Sequence, residues 1–234
     1  MSKYKFCDLI IEMDVKYDPL KSQVSAYCYK GESDSDIVIP PLTDVILKYH
    51  ERYNNLSLGE CEYVIKGAYF YKELLKFGGI LLHSSCVVKD NFAYLFSAPS
   101  GTGKSTHTSL WLKKFSDAKI LNDDKPALIF KEGKLYACGT PFSGKTDLNL
   151  NEIYPVKGIA FLERSKDNWI KKMDNQKAIY SILNQTIRPD SADIMDKAIS
   201  IIEKIVKSTN IYSFGCNISI DSVSVSYEAM NCEN

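Results

Sequence analysis

The sequence predicts a mixed α/β fold: a mixed central sheet with flanking helices. Segments with strand periodicity and segments with helix periodicity run through the whole chain without the strict alternation that a doubly wound parallel sheet needs. Strand-like runs at 80–88 and 92–96, and again at 127–130 and 134–138, are joined by the short turns Lys89-Asp90-Asn91 and Glu132-Gly133, so each pair reads as an antiparallel hairpin. Run 92–96 passes straight into a glycine-rich loop and then a helix, which places that loop at a strand end inside the sheet.

In chain order, 6–15, 24–29 and 36–39 read as strands, separated by turn clusters such as 31–34 and Pro40-Pro41. Helices follow at 42–53 and 60–77, the second with Tyr63, Ile65, Tyr69, Leu74 and Leu75 on a broad apolar face. His83 falls in the middle of strand 80–88. Helix 108–115 is expected to bury Leu110, Trp111, Leu112 and Phe115, and a short strand at 118–121 ends in Asn122-Asp123-Asp124. Beyond the second hairpin come a strand at 158–163, a helix at 175–185 and a break at Pro189. A helix at 192–206 has Ile194, Ala198, Ile201, Ile202 and Ile205 on one face, and a strand at 211–216 and a helical tail with Val223, Val225 and Met230 complete the chain. This pattern divides the chain into residues 1–78, a strand and helix region packed on the core, and 79–234, which carries the glycine loop; the two also read as one continuous domain.

The chain has 234 residues, 45% hydrophobic and 25% charged, the balance of an ordinary globular protein. Lysine plus arginine is 29 and aspartate plus glutamate is 29, so no general nucleic-acid binder is expected. No apolar run approaches the roughly 20 residues of a spanning helix. Asp8, Glu12 and Asp14 surround the one apolar stretch near the start, which leaves no signal-peptide core; a cytoplasmic protein without membrane partners is expected. The seven cysteines stand singly, with no zinc spacing, and read as free buried thiols. A homo-oligomer is compatible with all of this.

The chemistry concentrates in Ser100-Gly101-Thr102-Gly103-Lys104-Ser105-Thr106, between a strand and a helix. In that setting the loop amides and the helix N-terminus attract phosphate, and Lys104, expected to point into a solvent-open loop, adds a full charge. Ser105 suits a Mg²⁺ ligand. Ala98 stands where the usual pattern has its first glycine. Asp123 and Asp124 follow at the next strand end; phosphoryl transfer needs one carboxylate for the metal and one to accept the acceptor's proton. The loop from Gly139 to Lys145 offers Thr140, Ser143 and Lys145 as contacts on the acceptor side, or is simply a turn. His50 and His107 read as ordinary helix residues, and neither Cys86 nor Cys138 has a cation or base at an informative spacing.

The order of a histidine-bearing strand, a hairpin, the SGTGKST loop, a helix and Asp-Asp resembles the catalytic domain of HPr kinase/phosphorylase, whose phosphate loop is related to that of ATP-dependent phosphoenolpyruvate carboxykinase. The resemblance covers about Gly79 to Lys145, and SAPSGTGKSTHT, LNDDKP and GTPFSGK are similar to a bacterial group of HPr-kinase-like proteins. It implies a P-loop kinase-like catalytic domain over 79–234 that uses ATP and Mg²⁺. It also implies His83 as the active-site histidine, Lys104 and Ser105 as phosphate and metal residues, Asp123 as the catalytic carboxylate and Asp124 as its metal-linked neighbour. The family's second, acidic and glycine-rich signature is absent and GTPFSGK stands near its place; residues 1–78 do not resemble the family's regulatory domain. The expectation is therefore a forward kinase acting on a hydroxyl, of serine in a peptide or protein, with HPr not expected as the acceptor. A carboxykinase-like reaction would want clustered cations, and the three arginines, Arg52, Arg164 and Arg188, are dispersed. A nucleotide-binding module without turnover would not need Asp123 and Asp124.

Overall fold

The computed structural model describes residues 1–187 and 191–232, so the break expected at Pro189 lies outside the described residues. The chain opens with β1 (Ser2–Phe6) and β2 (Leu9–Met13), a hairpin in place of the single strand expected over 6–15. Cys7 and Asp8 form its two-residue turn, both left-handed with φ of 56° and 58°, as a turn that matches the strand twist demands. The strand expected over 24–29 is mostly replaced by helix, α1 (Leu20–Gln23) running on into a 3₁₀ turn, Val24–Tyr27, while Cys28 makes a β-bridge with Tyr4 of β1. β3 (Ile37–Ile39) joins β2 in parallel, and α2 (Thr43–Arg52) and α3 (Leu58–Leu74) follow. A Ser57–Glu60 capping box starts α3, Ser57 Oγ taking the Glu60 amide and Glu60 the Ser57 amide. Its buried face is Tyr63, Gly67, Phe70, Tyr71 and Leu74, with Ile65 and Tyr69 only partly covered; Glu62 and Lys66 are buried beside it as an ion pair at 3.1 Å.

The main sheet comprises β4 (Ile80–Leu81), β5 (Ser84–Lys89), β6 (Phe92–Ser97), β7 (Lys119–Asn122), β8 (Ala127–Lys131), β9 (Lys134–Cys138), β10 (Ile153–Arg164), β11 (Trp169–Lys172) and β12 (Ile211–Cys216). Its order is β4-β8-β9-β10-β6-β5-β7, with β12 against the second half of β10 and β11 against β12. β6 and β12 run parallel to β10 and most other pairs are antiparallel, so the sheet is mixed as the sequence predicts. β11 has no counterpart in the sequence reading. The helices α4 (Lys104–Lys114), α5 (Asn175–Asn184), α6 (Ala192–Ser208) and α7 (Asp221–Asn231) flank the sheet. On α4 the buried side chains are Lys104, His107, Thr108 and Trp111; Leu112, expected inside, is exposed, and Leu110 and Phe115 are partly covered. α6 buries Ala198, Ile202 and Ile205, with Ile194 and Ile201 at the margin.

The run 80–88 is not one strand. It breaks at Leu82-His83, and the chain paired with it breaks opposite, between β7 and β8. Pairing continues across the gap through the Leu82 amide to the Pro126 carbonyl at 3.3 Å and the Ser84 amide to the Asp124 carbonyl at 3.1 Å. Both chains thus cross together from one part of the curled sheet to the other. The crossing point holds His83, Asp123, Asp124 and Lys125. Residues of β1, β2, β3, α1 and α3 share one core cluster with Leu81, Ala127, Ile129, Cys138 and Phe142, so the N-terminal elements back this crossing. Among the described residues no helix is long and apolar enough to cross a membrane.

Candidate active site

β6 ends at Ser97, and the loop that follows turns through Gly101 and Gly103 at φ of 77° and 125° before α4 begins at Lys104. A Cβ on either glycine would meet nothing within 4 Å, so backbone conformation and not space requires glycine there. Ala98 is buried and free of left-handed geometry, which explains why a glycine is dispensable at that position. Ser100, Gly101, Ser105 and Thr106 are exposed, Thr102 and Gly103 half-buried. The first amides of α4 have no partner one turn earlier and face an anion's natural place.

Lys104 does not extend into open solvent as the sequence reading expects. It is 8% exposed and curls back so that Nζ donates to the Ala98 carbonyl at 2.9 Å. Burial lowers its pKa, and the negative charges of Asp124 and Asp123 act against that lowering. The loop, the lysine and both carboxylates are therefore in electrostatic contact. The guanidinium of Arg164, at the end of β10, donates from Nη2 to the Gly101 carbonyl at 2.6 Å. Strand register explains its arrival: β10 lies parallel to β6 with Phe161 opposite Ser97, so both strands lead to the loop.

Asn122 turns the chain after β7. Its Oδ1 accepts from the amides of Asp124 at 3.0 Å and Lys125 at 2.7 Å, a side-chain-closed turn that brings both carboxylates toward the loop. Asp123 is buried; Oδ1 accepts from Ser85 Oγ at 2.6 Å and Oδ2 from Thr146 Oγ1 at 3.0 Å. Ser85 Oγ also lies 2.8 Å from Thr108 Oγ1, so two hydroxyls bridge Asp123 to α4. Asp124 is paired with two cationic or potentially cationic groups: His83 Nε2 at 3.2 Å from Oδ1, and Lys125 Nζ on Oδ2. Burial would raise the Asp124 pKa, but the His83 bond and the Lys125 charge outweigh it and hold the carboxyl below its ordinary range. His83 is oriented from its other side by Gln185, whose Oε1 is 3.1 Å from Nδ1 and whose carbonyl takes the His83 amide at 2.7 Å.

The Gly139–Lys145 loop departs from expectation at two residues. Thr140 is fully buried, its hydroxyl fixed between the Lys125 carbonyl at 2.9 Å and Tyr71 Oη at 3.0 Å, so it supports the Asp123–Lys125 turn and is not open to an acceptor. Ser143 is likewise buried, accepting from Asn149 Nδ2 at 2.9 Å. Lys145 is exposed beside Glu60. Gly144, at φ 74°, passes so close to Asp124 that an added Cβ would lie 2.9 Å from its Cβ; its amide donates to Tyr63 Oη at 2.9 Å.

Ser85, Thr108, Lys125, Thr146 and Arg164 were not singled out by sequence reasoning. The one available signal is that Lys125 directly follows Asp123-Asp124 in the sequence. His107 and His50 are ordinary in the expected sense, His107 bonded within the core and His50 Nδ1 on the Leu56 carbonyl at 2.8 Å. All seven cysteines are free; Cys7, Cys61, Cys86 and Cys138 are buried, Cys216 is half-buried, and Cys28 and Cys232, expected inside, are exposed. Burial pushes the Cys86 thiol well up, away from nucleophilic thiolate. Among the described residues no three His, Cys, Asp or Glu side chains form a metal cluster.

The fold and this constellation define a mixed α/β protein with a glycine loop at the head of a helix and a carboxylate pair facing it. No family model matches the chain, and no curated protein matches it in sequence. Among solved structures it is similar to the Hpr(Ser) kinase/phosphatase from Coxiella burnetii, with a TM-score of 0.38 and 12% identity over 64% of this chain and 94% of that one.

Proposed function

We propose that this protein is an ATP- and Mg²⁺-dependent phosphotransferase that moves the γ-phosphoryl group to a hydroxyl, that of serine in a peptide or protein. One observation carries the reading. Lys104 opens α4 behind the glycine loop, and the same helix is tied to Asp123 through Thr108 and Ser85 hydroxyls at 2.8 and 2.6 Å, which supports the grouping of cation, phosphate loop and carboxylate that phosphoryl transfer requires.

The two carboxylates divide the work by their partners. Asp124, held ionised by His83 and Lys125, is a poor proton acceptor and suits the metal side. Asp123 is bonded only by the neutral hydroxyls of Ser85 and Thr146 among its described partners, and suits the base. In the transfer, the acceptor hydroxyl gives its proton to Asp123 as its oxygen bonds to the γ-phosphorus. The bond from that phosphorus to the β,γ-bridging oxygen breaks, and ADP leaves with the electron pair. Lys104 and the loop amides neutralise the charge that develops on the phosphates. A Mg²⁺ ion held there would supply positive charge against the phosphate oxygens. Ser105 and Asp124 would hold it, and so sparse a protein donor set suits an ion that keeps water and phosphate oxygens as ligands.

Calorimetry with ATP and Mg²⁺ tests the reading together with single-turnover transfer. Lys104→Met should weaken ATP binding strongly, whereas Asp123→Asn should keep ATP affinity and lose about 10²- to 10⁴-fold in transfer. Unaltered ATP affinity in folded Lys104→Met removes the phosphate-loop assignment; normal turnover in Asp123→Asn with none in Asp124→Asn exchanges the carboxylate roles.

A further inference from the structure

Beside Asp124 lies a cavity of about 800 Å³, bounded by α3, the turn around Pro19 and residues 144–147. Its described wall adds three carboxylates to Asp124, those of Asp18, Glu60 and Asp147, and the cations Lys125 and Lys145. Lys125 is taken up by Asp124. The other carboxylates rest on neutral donors: Asp18 on the Ser22 amide at 3.1 Å and Oγ at 2.5 Å, Glu60 on the Ser57 amide at 2.8 Å, and Asp147 on Asn149 Nδ2 at 3.1 Å. Hydrogen bonds from Ser22 and Ser57 hold the Asp18 and Glu60 carboxyls below their ordinary range, so both are ionised near neutrality. Lys145, which acts on Glu60, leaves the wall with an excess of negative charge.

A second, independent feature belongs to the same wall. Gln23 is 4% exposed; its Nε2 donates to the Gly144 carbonyl at 3.0 Å, and its buried Oε1 has no hydrogen-bond partner among the described residues. A buried acceptor left unmade is costly and marks a place where a donor is wanted. The carboxylates call for an N–H donor that carries positive charge, and the Gln23 oxygen adds an unused acceptor to the same wall.

The cavity has a neighbour. A second, mostly apolar lobe of about 310 Å³ shares Tyr63, Val64 and Lys125 with it and is lined further by Gly67, Phe142 and Ile187. Asp124 borders the first lobe and its partner His83 the second, so an occupant reaching from one to the other passes Asp124, next in the chain to the buried Asp123. Lobes of about 310 and 800 Å³ suit a peptide segment better than a single free amino acid.

We propose that this two-lobed groove is the acceptor site, and that it takes a peptide segment with a lysine or arginine on one side of the phosphorylated serine and an apolar residue on the other. The inference rests on the kinase reading above and names its substrate class. The test uses synthetic peptides with a central serine, an apolar residue on one flank and lysine, glutamine or glutamate on the other, assayed with the full chain, ATP and Mg²⁺, while calorimetry follows ATP binding. The lysine peptide should exceed the glutamine peptide in kcat/KM by about tenfold, the worth of a charge-assisted hydrogen bond in a partly buried site. The double variant Asp18→Asn, Asp147→Asn keeps size and hydrogen-bond acceptors, and asparagine tolerates the left-handed φ of 52° at position 147; in it the preference should fall below about threefold. ATP binding with charge-blind or glutamate-preferring transfer overturns the inference and leaves the kinase reading standing. So does a lysine preference that survives in the double variant, or phosphorylation of free serine with none of any peptide. Loss of ATP binding itself removes the kinase reading and this inference with it.

Discussion

His107 sits on the helix that carries Lys104, and its environment makes acid a specific threat to that helix. The ring is buried, edge-on to Phe96 at 4.5 Å and Phe214 at 5.1 Å. Trp111 Nε1, which can only donate, points at His107 Nε2 at 3.1 Å, so Nε2 is the acceptor and Nδ1, 3.3 Å from Ser222 Oγ, carries the proton. Burial pushes the pKa from 6.5 down to about 3. The folded value is thus depressed: the unfolded chain takes up a proton as the pH falls through 6.5 and the folded chain does not. Stability from this group is complete above pH 6.5 and lost on the way down to about 3. At about 1.4 kcal/mol per pH unit, roughly 3 kcal/mol has gone by pH 4, a large share of the about 5–15 kcal/mol of a typical domain. Urea unfolding at pH 7, 6, 5 and 4.5 measures the slope. In His107→Gln, whose Oε1 can still accept from Trp111, the dependence between pH 6.5 and 4.5 should shrink by roughly 2–3 kcal/mol whatever the variant's stability at pH 7. An equal slope in both proteins, or an NMR titration of His107 near 6.5 in the folded state, refutes the argument.

Gly144→Ala combines a left-handed backbone with a Cβ 2.9 Å from that of Asp124, so it should displace Asp124 and cut phosphoryl transfer at least about tenfold while ATP affinity changes less; transfer at the parental rate removes the Gly144 loop from the reaction. Arg164→Ala frees the Gly101 carbonyl from its 2.6 Å bond and should weaken ATP binding by about three- to tenfold, read by calorimetry, since the arginine is exposed; an unchanged Kd shows that the loop holds its shape alone.

Legibility followed local rules where local rules governed. Asp90-Asn91 and Glu132-Gly133 are turn residues by composition and both adopt the left-handed pair that a tight hairpin needs. Cys7-Asp8 adopts the same geometry with a cysteine in first place, so nothing in composition announced that hairpin. The run 80–88 is apolar enough for a continuous strand; its break at Leu82-His83 exists because the paired chain breaks opposite it, a non-local cause. The loop and the carboxylate pair were readable because their spacing along one strand–loop–helix–strand path is local. Ser85, Thr146 and Arg164 arrive from a neighbouring strand, a later loop and the far end of β10, and only sheet register brings them in. Lys104 is a local exception: spacing places it at the loop's end but not the turn of its side chain, which folds Nζ back onto the loop's own Ala98 carbonyl.

Residues 1–78 yielded no chemistry as a sequence, yet they position the proposed site. Tyr63 Oη accepts from the Gly144 amide, Gln23 Nε2 donates to the Gly144 carbonyl, and Tyr71 Oη donates to the Lys125 carbonyl beside Thr140. Three side chains from α1 and α3 thereby fix the two backbone segments on either side of Asp124. A turn of small residues gains little from its own contacts and would otherwise sample many conformations. Held at both the amide and the carbonyl of Gly144, it can come within contact of a carboxylate without a side chain of its own. The N-terminal elements therefore act on the chemistry through backbone geometry, which is why no motif marks them, and the same helices supply one wall of the groove in which the acceptor would lie.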